Sequence, residues 1–210
     1  MAADGLTTLT VDQFLDRLAS GDPTPGGGSA SALAGALGAA LVSMVCNLTV
    51  GREKYAAHES EVREVLAASG QLVTTLRNGI DQDAAAYDQV MAAFKLPRNT
   101  DEEKAARQAA IQKATHAASL VPLALAEASA QVIEQAERAV GRTNANAASD
   151  LAVAALLGVA ALDGAAANVE INLSSLKDET VRNEIASRLA AARDGRRAQA
   201  DRVVKAASSA

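Results

Sequence analysis

The chain is built from long stretches with apolar residues at helical spacing, divided by short breaks rich in Gly, Pro and Asn. The first stretch opens at Thr10, which stands three residues before Gln13, the spacing of a capping box. Val11, Phe14, Leu15 and Leu18 follow at the i, i+3, i+4, i+7 positions of one helix face, and Gly21 ends the run. Asp22-Pro23-Thr24-Pro25-Gly26-Gly27-Gly28 then forbids regular structure. Ser29 reads as the N-cap of a second helix reaching about Val50. Its stripe is Leu33, Leu37, Leu41, Val45 and Leu48, with Gly51 as a C-cap.

A third helix is expected from about His58 to Phe94, striped by Val62, Leu66, Val73, Leu76, Ile80, Asp83, Tyr87, Val90 and Phe94. Pro97 breaks the chain, and Thr100 with Glu103 forms another capping box. The fourth helix buries Ile111, Ala114, Ala118, Val121, Leu125 and Val132, and Pro122 should kink or restart it. After a break from Gly141 to Asn146, a nearly charge-free fifth helix runs from about Ala147 to Leu173. A charged, more exposed helix from Asp178 to Val204 completes the chain. The pattern predicts an all-α bundle of about six long helices, with the second and fifth buried at its centre. Residues 1–210 read as a single domain.

Composition agrees. Hydrophobic residues make up 49 % and aromatics only 2 %, so alanine and leucine carry the apolar content, which favours helix over strand. The net charge of −5 and the lack of a basic cluster argue against a nucleic-acid partner. The lone Cys46 has no disulfide partner, and Met1 to Leu9 has no leader-like pattern, so a cytoplasmic location is expected. Ala30 to Val50 is uncharged and about long enough to span a bilayer. Its serines, glycines, Asn47 and Thr49 favour a buried bundle helix over a membrane span.

The candidate chemistry lies where polar groups interrupt apolar runs. Asp83 shares a helix face with Ile80 and Tyr87, where a carboxylate is costly to bury unpaired. It is an ordinary ion-pair member, a mark that the seam is already leaving the core, or a functional acid in a cleft. Asp150 opens the neutral fifth helix, where the dipole alone could account for it. Asn144, Asn146 and Ser149 lie beside it as turn residues or contacts. Asn168 and Asn172, four apart, need partners from a ligand or from other helices. The Pro25-Gly26-Gly27-Gly28-Ser29 turn could present backbone N–H groups, although neither a preceding strand nor a Walker lysine accompanies it. Arg52 and Lys54 after the second helix complement its C-terminus or receive a carboxylate. His58, His116 and Cys46 have no metal-ligand spacing, so no metal is expected.

Five ordered blocks resemble the cyclodeaminase/methenyltetrahydrofolate cyclohydrolase family. They are the Pro23–Ser29 turn, Gly35–Leu41, Met44–Tyr55, Leu96–Lys104, and Ser149-Asp150 together with Asn168–Leu173. The likeness extends from about Val11 to Asp178. It implies an all-helical homodimer with a folate substrate and no metal or redox cofactor. Two reactions come with it. A cyclohydrolase opens 5,10-methenyltetrahydrofolate to 10-formyltetrahydrofolate. A cyclodeaminase closes 5-formiminotetrahydrofolate to the methenyl form with loss of ammonia.

Under this resemblance Asp83 and Asp150 divide water activation and pterin recognition, with Lys54 as a proton relay or tail contact. Pro25, Gly26, Gly27, Gly28, Ser29, Arg52, Tyr55, Asn146 and Asn172 bind substrate. The short chain favours the cyclohydrolase, with the deaminase second. A non-catalytic folate-binding or scaffold dimer is the alternative from another class, and a membrane-associated helical protein is a distant one.

Overall fold

The computed structural model describes residues 5–209, so Met1 to Asp4, the start of the stretch read for a leader, lies outside them. Helix α1 spans Val11–Leu18 behind the expected capping box: the Gln13 amide donates to Thr10 Oγ1 at 3.2 Å, and the Thr10 amide to Gln13 Oε1 at 2.9 Å. Before it, a 3-10 turn at Leu6–Thr8 is pinned by Asp81, which accepts from the Leu6 amide and the Thr7 hydroxyl.

Helix α2 spans Gly27–Asn47 and begins earlier than its sequence suggests. Gly26, in extended conformation, is the N-cap, and Ser29 lies inside the first turn, facing the core. The expected stripe is buried only in part: Val45 is fully buried and Leu33 and Leu41 are half-buried, while its other leucines face outward. Ala32, Ala39, Val42, Val45 and Cys46 are fully buried, while Leu37 and Leu48 keep 51 % and 41 % of their surface exposed. Close helix approach is the reason. A Cβ on Gly38 would stand 2.9 Å from the Ala154 carbonyl oxygen, so only the smallest residues fit at that contact and the bulky ones face outward.

Gly51, with φ +75°, closes α2, and a 3-10 turn at Glu53–His58 leads into α3, Glu59–Phe94. Helix α4, Asp101–Ala139, starts on the Thr100–Glu103 capping box and runs on through Pro122 without restarting. Proline at 122 has no N–H to offer the Ala118 carbonyl four residues back. Asn172 Nδ2 supplies the missing donor, 3.0 Å from that oxygen. Helix α5 spans Ala148–Ser175. The expected single last helix is two, α6 (Glu179–Arg193) and α7 (Arg196–Ala207), because Gly195 turns the chain at φ +68°.

All regular structure among the described residues is helical. Helix α2 packs on α3 and α5, α4 closes the other side of that pair, and α6 and α7 cover α4 and α5. Gly28 lies beside Asp83 and Gly35 beside Leu76, so α2 and α3 are antiparallel. Gly27 lies by Asn168 and Gly38 by Ala154, so α2 and α5 are antiparallel too. The buried side chains form one cluster.

Neither α2 nor α5 is buried all round within the subunit. Leu37, Met44 and Leu48 on α2, and Val153, Leu156 and Ile171 on α5, remain exposed. By length and composition alone Gly27–Asn47, Asp101–Ala139 and Ala145–Ser175 could each cross a membrane.

Candidate active site

The first polar cluster gathers where α2 begins. Pro25, buried behind a cis Thr24–Pro25 peptide, and Gly26 deliver the chain to Gly27 and Gly28. Gly28 leaves no room for a side chain while Asp83 keeps its place: a Cβ there would stand 2.0 Å from Asp83 Oδ1. The start of α2 is therefore pressed against the carboxyl of α3.

Asp83 is half-buried, and Ser29 Oγ lies 3.0 Å from its Oδ2. Burial pushes the Asp83 carboxyl above the ordinary carboxylate range, against the opposing pull of hydrogen bonds from the Ser29 hydroxyl and backbone amide. No ion pair among the described residues includes Asp83. The ion-pair reading of its place on the seam therefore falls. A carboxylate so placed can bind a cationic centre or take a proton.

Ser29 itself has 0 % exposure, so its side chain backs Asp83 and offers no surface to a substrate within the subunit, a correction to its expected role as a substrate contact. Asn168, rather than Asn172, stands at this turn: a Cβ on Gly27 would lie 3.7 Å from Asn168 Nδ2, which donates to the Gly164 carbonyl at 2.8 Å. The Asn172 side-chain amide donates one N–H to the Ala118 carbonyl, a packing contact. The four-residue spacing on α5 flags both asparagines equally. Only the position of Pro122 on a neighbouring helix separates their duties.

The second cluster gathers at the other end of the bundle. The Asn144 amide donates to Thr49 Oγ1 at 2.9 Å, tying the turn after α2 to the turn before α5. Asn144 Oδ1 accepts from the Asn146 amide at 3.1 Å and lies 3.5 Å from the Tyr55 hydroxyl. Lys54 Nζ lies 5.4 Å above the Tyr55 ring. Arg52, Lys54 and the Asn146 side chain are exposed, and Asp150, in the first turn of α5, is half-buried. Lys54, Tyr55, Thr143, Asn144 and Leu151 line a cavity of about 290 Å³, which Ala206 and Ser209 at the end of α7 wall off.

The two clusters are far apart. Asp150 precedes Asn168 by eighteen residues of one helix, which at 1.5 Å per residue is about 27 Å. Within one subunit Asp83 and Asp150 therefore occupy opposite ends of the α2–α5 pair. Among the described residues no three of His, Cys, Asp and Glu cluster as metal ligands.

An all-helical bundle with a glycine turn pressed on an unpaired acid defines the class of protein, and comparison with known proteins identifies the family. Residues 10–191 match the formiminotransferase-cyclodeaminase family, to which the chain belongs. It is 50 % identical over 175 residues to a methenyltetrahydrofolate cyclohydrolase of Methylorubrum extorquens, covering 83 % of this chain and 84 % of that one. It is 35 % identical over 188 residues to the rat formimidoyltransferase-cyclodeaminase, covering 88 % of this chain but 34 % of the rat protein. In structure it is similar to a formiminotetrahydrofolate cyclodeaminase of Thermotoga maritima, with TM-score 0.85 and 29 % identity over 96 % of this chain and 97 % of that one. The family resemblance and the all-helical class both hold.

Proposed function

We propose that the chain is a methenyltetrahydrofolate cyclohydrolase, adding water to 5,10-methenyltetrahydrofolate and opening it to 10-formyltetrahydrofolate. One observation carries the reading: Asp83, half-buried at the glycine turn, has no ion-pair partner among the described residues. The methenyl bridge is a cationic amidinium, which an unpaired carboxylate in a water-poor cleft attracts. Burial also brings Asp83 closer to working pH, where a general base is most effective. Asp83 removes a proton from water as its oxygen bonds to the bridge carbon. The bond from that carbon to N5 then breaks as N5 takes the proton held by Asp83 and the new hydroxyl gives its own proton to solvent, leaving the formyl group on N10. The 50 % identity to the Methylorubrum cyclohydrolase favours this reaction over ring closure with loss of ammonia, which stays the second reading because the Thermotoga protein is a cyclodeaminase.

The reading includes a homodimer with a shared site. The exposed apolar faces of α2 and α5 would be covered by a second copy in place of lipid, burying both helices all round. A twofold perpendicular to the α2 and α5 axes would set the Asp83 end of one subunit against the Asp150 end of the other. Asp150 would then accept from the pterin, while Arg52 and Lys54 receive the glutamate tail and Tyr55 and Asn146 line the approach. The chemistry asks only for folate and water, in the cytoplasm, from residues 1–210 acting as one domain.

Parallel assays test this. One follows loss of the amidinium absorbance of 5,10-methenyltetrahydrofolate, and the other its appearance from 5-formiminotetrahydrofolate. Rapid loss in the first alone is expected. Strong appearance in the second makes the deaminase the main activity. Silence in both from folded dimer leaves a non-catalytic folate-binding or scaffold protein.

A further inference from the structure

Ser29 sits in the first turn of α2 with no exposed surface, and its Oγ has two partners on α3. One is Asp83 Oδ2 at 3.0 Å, and the other is the Ile80 carbonyl oxygen, also at 3.0 Å. A hydroxyl has one proton and can donate to only one of them at a time. We propose that Ser29 is the positioning residue of Asp83, holding the carboxyl in one place in both of its protonation states by turning its hydroxyl proton between Asp83 and Ile80. The proposal rests on the reading of Asp83 as the base.

Each state is fully satisfied. With Asp83 ionised, the Ser29 proton goes to Oδ2, because a hydrogen bond to a charged acceptor is the stronger. The Ile80 carbonyl then keeps its ordinary bond within α3. Once Asp83 has taken a proton, its own O–H donates to Ser29 Oγ, and the Ser29 proton turns to Ile80. No buried polar atom is orphaned in either state, so the carboxyl has no reason to swing away between accepting a proton and returning it. Gly28, with no room for a side chain, holds the other oxygen from the front.

Other charges do not compete for this role. Helix α2 is uncharged from Gly27 to Asn47. On α5, Asp163 and Glu170 are paired with Arg197 and Arg193. On α3, Asp81 is engaged with the N-terminal turn, and Tyr87 stands one turn beyond Asp83. His116 on α4 is exposed. Burial and Ser29 alone account for the shift of the Asp83 carboxyl.

The test is the Asp83 carboxyl resonance, followed by carbon-detected NMR against pH in the folate-free protein, beside the pH profile of kcat/KM. Ser29→Ala should raise the proton affinity of Asp83 about tenfold, moving the NMR midpoint and the acid limb of the profile upward together by about one pH unit. Unchanged midpoints in folded Ser29→Ala protein overturn the proposal and leave Ser29 as packing. Should Ser29→Ala fail to fold, Ser29→Cys fills the space with a weaker donor, and the same upward shift is required of it. The NMR midpoint needs no turnover. It therefore decides the Ser29 proposal separately from Asp83→Asn, whose full activity would remove only the catalytic reading.

Discussion

Gly28 and Asp83 are packed so that a methyl on the first would stand 2.0 Å from an oxygen of the second. The contact is with the tip of a side chain, so the helix can keep its course if the carboxyl turns aside. Gly28→Ala is therefore expected to fold normally while kcat/KM falls by roughly a hundredfold, the scale of a 1 Å misplacement. Circular dichroism melts and the methenyl assay check the two halves of this statement.

Asp83→Asn should raise thermal stability as it removes activity. With its carboxyl pushed up by burial, folded protein holds a proton that the unfolded chain has already released. Stability therefore falls as pH rises from the ordinary carboxylate range through the raised one, and above that window the ionised group is a standing cost. At pH 7.5 the variant should melt at a higher temperature than wild type. Turnover should drop by about 10² to 10⁴. The melting difference should vanish below the ordinary carboxylate range.

Asp83→Asn and Asp150→Asn subunits, each inactive alone, should complement one another. In a mixed dimer with shared sites one site collects both defects and the other collects none. Random re-pairing of equal amounts makes half the dimers mixed, so activity should return to about a quarter of wild type. Recovery that stays at background after verified exchange dismisses the shared site.

Pro122 and Asn172 should behave as a coupled pair. Asn172→Leu leaves the Ala118 carbonyl without a donor and should cost about 1–3 kcal/mol of stability while KM stays within about twofold. Pro122→Ala restores the backbone N–H, so the double variant should regain most of that loss. A double-mutant cycle in urea measures the coupling.

Much of this architecture is legible in the chain itself, because long helices announce themselves by period and caps. The capping boxes at Thr10 and Thr100 sit where their spacing puts them. What misleads is the assumption that larger apolar residues mark the inside. On α2 glycine and alanine face the core while Leu37 and Leu48 face out, since distance between helix axes rather than hydrophobicity sets that contact. Asp83 stands out as an acid on an apolar seam, and no ion pair among the described residues cancels it. The remoteness of Asp150 could not be read from helix patterns, because it depends on which way α5 runs beside α2. Asn172 could not be read alone either, since its partner carbonyl is freed by a proline on another helix.

The alanine-lined interior also shapes how the chain can drift. Ala32, Ala39, Ala126, Ala136, Ala154, Ala155, Ala161 and Ala165 have no exposed surface. Truncation to alanine, the usual injury to a core, has nothing left to remove at these places. The harmful change here is enlargement, and an alanine codon becomes a valine codon by one base. Mutations in this core therefore tend to push helices apart rather than open holes between them. Compensation is to be sought in partners that shrink across the same seam.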